Sequence, residues 1–124
     1  MKRVLVVDDD EGIRGFVTLA LADEGYEVAE ADNGAAALHV LESTRPDVIL
    51  LDMRMPTMDG WEFSRIYRQS PGPHAPIIVL TAARDAASWA SQIDAEGCLG
   101  KPFDVDALLD LVGRFAPPNG YSEI

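Results

Sequence analysis

Residues 4–12 read VLVVDDDEG. Four apolar residues, three of them valine, run straight into three aspartates and a glutamate. A short continuous apolar run of this kind is the pattern of a strand buried on both faces, and such strands belong to parallel sheets covered by helices on each side. The acids that end it pose a separate problem. Two carboxylates about 4 Å apart repel by roughly 4 kcal/mol at an effective dielectric near 20. Either the acids fan out into water or something positive sits among them.

The pattern recurs along the chain. The first strand spans RVLVVD (3–8), and DVILLD (47–52) and IIVLT (77–81) are apolar runs of the same character. YEVAEA (26–31) alternates as a strand does, and CLG (98–100) reads as a brief fifth strand. Between them lie segments with helical spacing. EGIRGFVTLALADEG (11–25) places Ile13, Phe16, Val17, Leu19, Ala20 and Leu21 on that spacing, with Gly25 as its stop. AAALHVLEST (35–44), WEFSRIYRQ (61–69), RDAASWASQIDAEG (84–97) and DVDALLDLVGRF (104–115) follow as helices, the last with Asp104 as its N-cap. DNG (32–34) is a turn, and SPGPHAP (70–76) is a Pro- and Gly-rich connector. Five strand–helix units in alternation predict a doubly wound α/β fold with a parallel sheet and right-handed crossovers.

Length and composition narrow the function. The chain has 124 residues, enough for one domain, read as residues 1–116 with a loose tail at 117–124. The formal charge of −11 argues against direct binding to nucleic acid, which needs a basic face. No apolar run approaches the roughly 18 residues of a membrane span, and the basic start MKRVLVVD has too short an apolar stretch for a signal peptide. The single cysteine, Cys98, cannot form an internal disulfide, so a cytoplasmic location is expected.

In an open parallel sheet, ligands sit beyond the carboxyl ends of the strands. The first strand delivers Asp8 and Asp9 there, the third Asp52, the fourth Thr81, and Lys101 lies just past the fifth. The convergence answers the question raised by the acids. Asp8, Asp9 and Asp52 make an oxygen-rich pocket suited to Mg²⁺, which takes a few carboxylates, waters and a phosphate oxygen. Lys101 adds a fixed positive charge and Thr81 a donor. A carboxylate nucleophile, a metal, an ammonium and a hydroxyl are what phosphoryl transfer to an aspartate needs. Asp52 is the best nucleophile because its strand is expected at the sheet centre, with Asp8 and Asp9 as metal ligands. Asp10 and Glu11 are accounted for by capping and dipole matching at the helix start.

The motifs VLVVDDD, VILLDMRMPTMDG, VLTA and GKPF, in this order, resemble the receiver domain of bacterial two-component response regulators, of the single-domain chemotaxis type. The resemblance covers about residues 2 to 115. It implies a flavodoxin-like (βα)5 fold with strand order 2-1-3-4-5. It implies Asp52 as phosphoacceptor and Asp8, Asp9, Asp52 and the backbone carbonyl of Arg54 as Mg²⁺ ligands. It further implies Thr81 as switch hydroxyl, Lys101 as its partner at the phosphoryl group, and a cis Lys101–Pro102 bond. The partners implied are a sensor histidine kinase or phosphotransfer protein and an output protein, with no nucleic acid or membrane. Arg54 and Ala83 would flank the path of attacking water. The chain would be a switch rather than an enzyme, with only self-catalysed phosphoryl transfer and hydrolysis, read out through the helix 4–strand 5–helix 5 face.

Two positions depart from that pattern. Cys98 stands where the family usually has tyrosine or phenylalanine, which puts the usual coupling of the hydroxyl to an aromatic rotamer in doubt. Asp94 stands where glycine is common. Trp89 is either a partner anchor or packing at the sheet edge, and His39 and His74 carry no assigned role. Two alternatives remain. The chain would otherwise be a receiver cut from a longer DNA-binding or enzymatic regulator. Less favoured is a haloacid dehalogenase-like phosphatase using Asp8 and Asp10.

Overall fold

The computed structural model describes residues 2–118, so residues 119–124 of the expected tail lie outside it. Ten elements alternate along the chain: β1 (Arg3–Val7), α1 (Glu11–Asp23), β2 (Glu27–Ala31), α2 (Gly34–Val40), β3 (Val48–Leu51), α3 (Gly60–Gln69), β4 (Ile77–Ala82), α4 (Ala83–Gln92), β5 (Gly97–Lys101) and α5 (Val105–Phe115). The five strands form one sheet in the order β2-β1-β3-β4-β5. Every pairing is parallel. This is the flavodoxin-like order, with a crossover that puts β3 at the centre.

The unbroken apolar runs follow from a sheet covered on both faces. Val4, Val6, Leu50, Ile78 and Leu80 face α1 and α5 and pack with Val17, Leu21, Leu108 and Val112. Leu5, Val7, Ile49, Leu51 and Val79 face the other way and pack with Ala37 of α2, Phe63 and Tyr67 of α3, and Ala90 of α4. Side chains alternate faces along a strand, so only a doubly covered strand needs an apolar residue at every position.

Side-chain oxygens start four of the helices. Asp10, Asn33, Asp59 and Asp104 each accept the backbone N–H three residues on. Two helices stop earlier than their sequence pattern suggests. α2 ends at Val40 rather than residue 44, its last turn tightening through Glu42 N–H to His39 O and Ser43 N–H to Val40 O. Ser43 and Thr44 are poor helix formers, and Pro46 turns its predecessor away from helix.

α4 ends at Gln92 rather than residue 97, because Asp94 adopts a left-handed conformation with φ 54°. The Ala95 N–H then closes back on Ala90 O and the Asp94 N–H on Ser91 O. The same closure ends α1, where the left-handed residue is Gly25 at φ 97°. The departure at Asp94 thus falls at a position whose backbone favours glycine. Asp94→Gly is expected to raise unfolding stability by about 0.5–1 kcal/mol, measured by urea titration, because glycine carries no Cβ penalty there.

Candidate functional site

The register of the central strands sets the site. Val7 pairs with Leu51, so the residues that follow them, Asp8 and Asp52, emerge side by side from β1 and β3. Their backbones are tied into the sheet: Asp52 N–H donates to Val7 O at 2.9 Å, and Asp8 N–H to Ala31 O at 3.1 Å. Thr81 pairs with Gly100 and Ala82 with Lys101, which brings the ends of β4 and β5 to the same rim.

Asp8 and Asp52 are buried, and Asp9 is exposed. One carboxylate oxygen from each of Asp8, Asp9 and Asp52 lies within 4.8 Å of the others. Each oxygen of Asp8 has a partner. Its Oδ1 accepts the Asp10 N–H at 2.9 Å, and its Oδ2 accepts from Lys101 Nζ at 2.9 Å. Lys101 Nζ also stands 3.6 Å from Asp52 Oδ1. Lys101 thus supplies the fixed positive charge expected beside the acids.

One ammonium does not balance three carboxylates, and Asp52 carries the imbalance. Its pKa is raised from 3.8 to about 7, chiefly by burial and next by the charge on Asp8. Lys101 pulls the other way, while a hydrogen bond and the charge from Asp9 add to the rise. A donor set of hard oxygens short of positive charge fits a small divalent cation. The cluster is thus one that such an ion would complete.

Thr81 is buried at the end of β4, on the rim that holds the acids. Lys101 ends β5, and its bond to Pro102 is cis, as the resemblance implies. Gly100 keeps this corner close-packed, since a Cβ there would lie 2.5 Å from the Ala83 Cα at the start of α4. Arg54 follows Asp52 by two residues, and its guanidinium lies over the Trp89 ring, 5.5 Å from the centroid. Cys98 is half-buried on β5 within the cluster that also holds Trp61 and Trp89. His39 sits exposed beside Glu42, and His74 packs edge-on against Tyr67, both away from the rim.

One supporting residue escaped the sequence reading. Arg14 on α1 donates from Nη1 to the Asp8 carbonyl at 2.7 Å and from Nε to Glu30 Oε1 at 3.0 Å. It braces the end of β1 against β2. The only signal in the sequence was a lone basic residue four positions after the Asp10 cap.

Comparison with known proteins gives the same picture. The family model for the response regulator receiver domain matches residues 4–113. The response regulator MprA of Mycolicibacterium vanbaalenii is 39% identical over 127 residues, covering 98% of this chain and 54% of that protein. MprA of Mycobacterium avium is 41% identical over 109 residues, covering 86% of this chain and 47% of that one. The chain thus spans about half the length of these curated relatives. Among solved structures, the chemotaxis response regulator CheY4 of Vibrio cholerae superposes with a TM-score of 0.83 at 39% identity, covering 93% of this chain and 98% of that one. The response regulator TrrA of Thermotoga maritima, solved in complex with Mg²⁺-BeF, gives 0.81 at 35% identity, covering 93% and 99%. No helix among the described residues is long and apolar enough to cross a membrane.

Proposed function

The chain belongs to the response regulator receiver domain family, and from that premise we propose that Asp52 is its phosphoacceptor, in a site completed by Mg²⁺. The observation that carries the reading is the crowding at the rim: a buried Asp52 with its pKa pushed to about 7, beside Asp8, Asp9 and Lys101. Membership of the family sets the haloacid dehalogenase-like alternative aside. A receiver domain is a phosphoacceptor switch rather than an enzyme acting on a substrate pool.

Each residue then has a task. The ionised Asp52 carboxylate attacks the donor's phosphorus, and the bond to the donor's leaving nitrogen or acyl oxygen breaks. Asp8, Asp9 and Asp52, with the Arg54 backbone carbonyl, would hold Mg²⁺, which when bound supplies charge neutralisation for the acids and the phosphoryl oxygens. Lys101 transfers its pairing from the carboxylates to the phosphoryl group, and the Thr81 hydroxyl donates to a phosphoryl oxygen. The added charge shifts a two-state equilibrium towards the form whose helix α4–β5–α5 face binds the output protein. The donor class is a phosphohistidine on a histidine kinase or phosphotransfer protein, or a small acyl phosphate, in a cytoplasmic setting.

Intact-mass spectrometry after incubation with acetyl phosphate tests this. One added phosphoryl group is expected in the native chain with Mg²⁺, and none with a chelator or in Asp52→Ala. Equal incorporation in Asp52→Ala would refute the assignment.

A further inference from the structure

We infer that the Arg54 guanidinium is a movable latch. It rests on Trp89 while Asp52 is unmodified and leaves that ring for the phosphoryl group once Asp52 carries one. Its departure frees one face of the Trp89 ring on α4. The inference rests on Asp52 being the acceptor.

Four groups from three segments meet at this point. Arg54 comes from the loop between β3 and α3, two residues after Asp52, and its side chain is exposed. Among the described residues its guanidinium forms no ion pair or hydrogen bond, and its partner is the Trp89 ring of α4. That ring meets the Trp61 ring of α3 edge-on, with centroids 4.9 Å apart. Trp61 Nε1–H donates to Gln92 Oε1 at 2.8 Å, one turn further along α4. Both indoles are half-buried and belong to the same apolar cluster as the small Cys98 on β5. The aromatic volume on this side of the sheet therefore comes from the helices and is in contact with the loop that bears the acceptor.

Charge decides where Arg54 goes. Lys101 stands 2.9 Å from Asp8 and 3.6 Å from Asp52, and leaves the three carboxylates short of positive charge until a divalent cation joins them. With a divalent cation among three carboxylates and one ammonium, the site is balanced. An aspartyl phosphate carries about one more negative charge than the aspartate it replaces. Arg54 is the cation nearest in sequence to Asp52, and a charge-assisted hydrogen bond to a phosphoryl oxygen outcompetes a cation–π contact made by an exposed guanidinium. Departure of the guanidinium uncovers one face of Trp89.

Linkage provides the test. If a phosphoryl mimic must draw Arg54 off Trp89, removing the ring makes the mimic bind more tightly. Beryllofluoride with Mg²⁺ is titrated calorimetrically into the full chain and its variants. Trp89→Leu is expected to bind about two- to fivefold tighter than the native chain, the equivalent of a cation–π contact at an exposed site. Trp89→Phe, which keeps a weaker ring, is expected to fall between them. In an Arg54→Gln background, Trp89→Leu is expected to leave the affinity unchanged. Affinity that is equal or weaker in both Trp89 variants, or a Trp89 effect that persists without Arg54, overturns the latch alone. Failure of the native chain to bind beryllofluoride, together with no adduct from acetyl phosphate, overturns the acceptor reading and the latch with it.

Discussion

Asp52→Asn is expected to stabilise the metal-free fold by about 2–4 kcal/mol at pH 8 and by almost nothing below pH 4. The cause is the raised pKa of Asp52, about 7 in the fold against 3.8 for the free group. Below 3.8 both the folded and the unfolded chain hold the proton, and Asp52 costs nothing. Between the two values the folded chain binds more protons than the unfolded one, so stability falls as pH rises. Above 7 both forms are ionised and the whole penalty is present. The rise from 3.8 to about 7 corresponds to at most about 4 kcal/mol. Asparagine keeps the shape and removes the charge, so the penalty disappears. Urea unfolding in a chelator, at several pH values, reads this directly. A difference between native and Asp52→Asn that does not change from pH 4 to pH 8 would contradict the crowding described at the rim.

Lys101→Met is expected to act in the opposite sense. It removes the ammonium that stands 2.9 Å from Asp8 and 3.6 Å from Asp52, and leaves two buried carboxylates facing each other. Breaking one side of a buried pair costs about 3–5 kcal/mol, and the partial exposure of Lys101 places the expected loss near the lower end, about 3 kcal/mol at pH 8. The two substitutions are expected to be non-additive. In the Asp52→Asn background, Lys101→Met leaves only Asp8 and Asp9 uncompensated, so its cost is expected to fall by about 1 kcal/mol or more. Additive effects would mean that Lys101 is not electrostatically coupled to Asp52 and supports the fold through its pair with Asp8.

Much of this was legible in the chain itself. The runs RVLVVD, DVILLD and IIVLT are apolar throughout their middles because each strand faces helices on both sides, and the structure places all three in the interior of the sheet. Their polar ends marked the rim, and the parallel register made those ends coincide. Asp104 and Asp10 read correctly as caps because capping is local.

What the sequence hid depends on contacts between distant segments. The end of α4 turns on the left-handed backbone at Asp94, and aspartate is only one of several residue types that tolerate it. Arg14 binds the Asp8 carbonyl and Glu30 through geometry that no spacing rule predicts. The pairing of Arg54 with Trp89 joins a loop to a helix 35 positions further on, and only the folded sheet brings them together. Trp89 packs against the apolar cluster on that side of the sheet, as one of its two readings had it, and there it meets both Arg54 and Trp61.

The location of the phosphoryl group in the chain decides whether Asp52 is the acceptor. After acetyl phosphate and Mg²⁺, borohydride reduction converts an aspartyl phosphate to homoserine, and peptide mass mapping finds the altered residue. Homoserine is expected at position 52, with unmodified aspartate at positions 8 and 9. Homoserine at position 8 or 9, with Asp52 intact, would contradict this assignment and make the first strand's acids the nucleophiles.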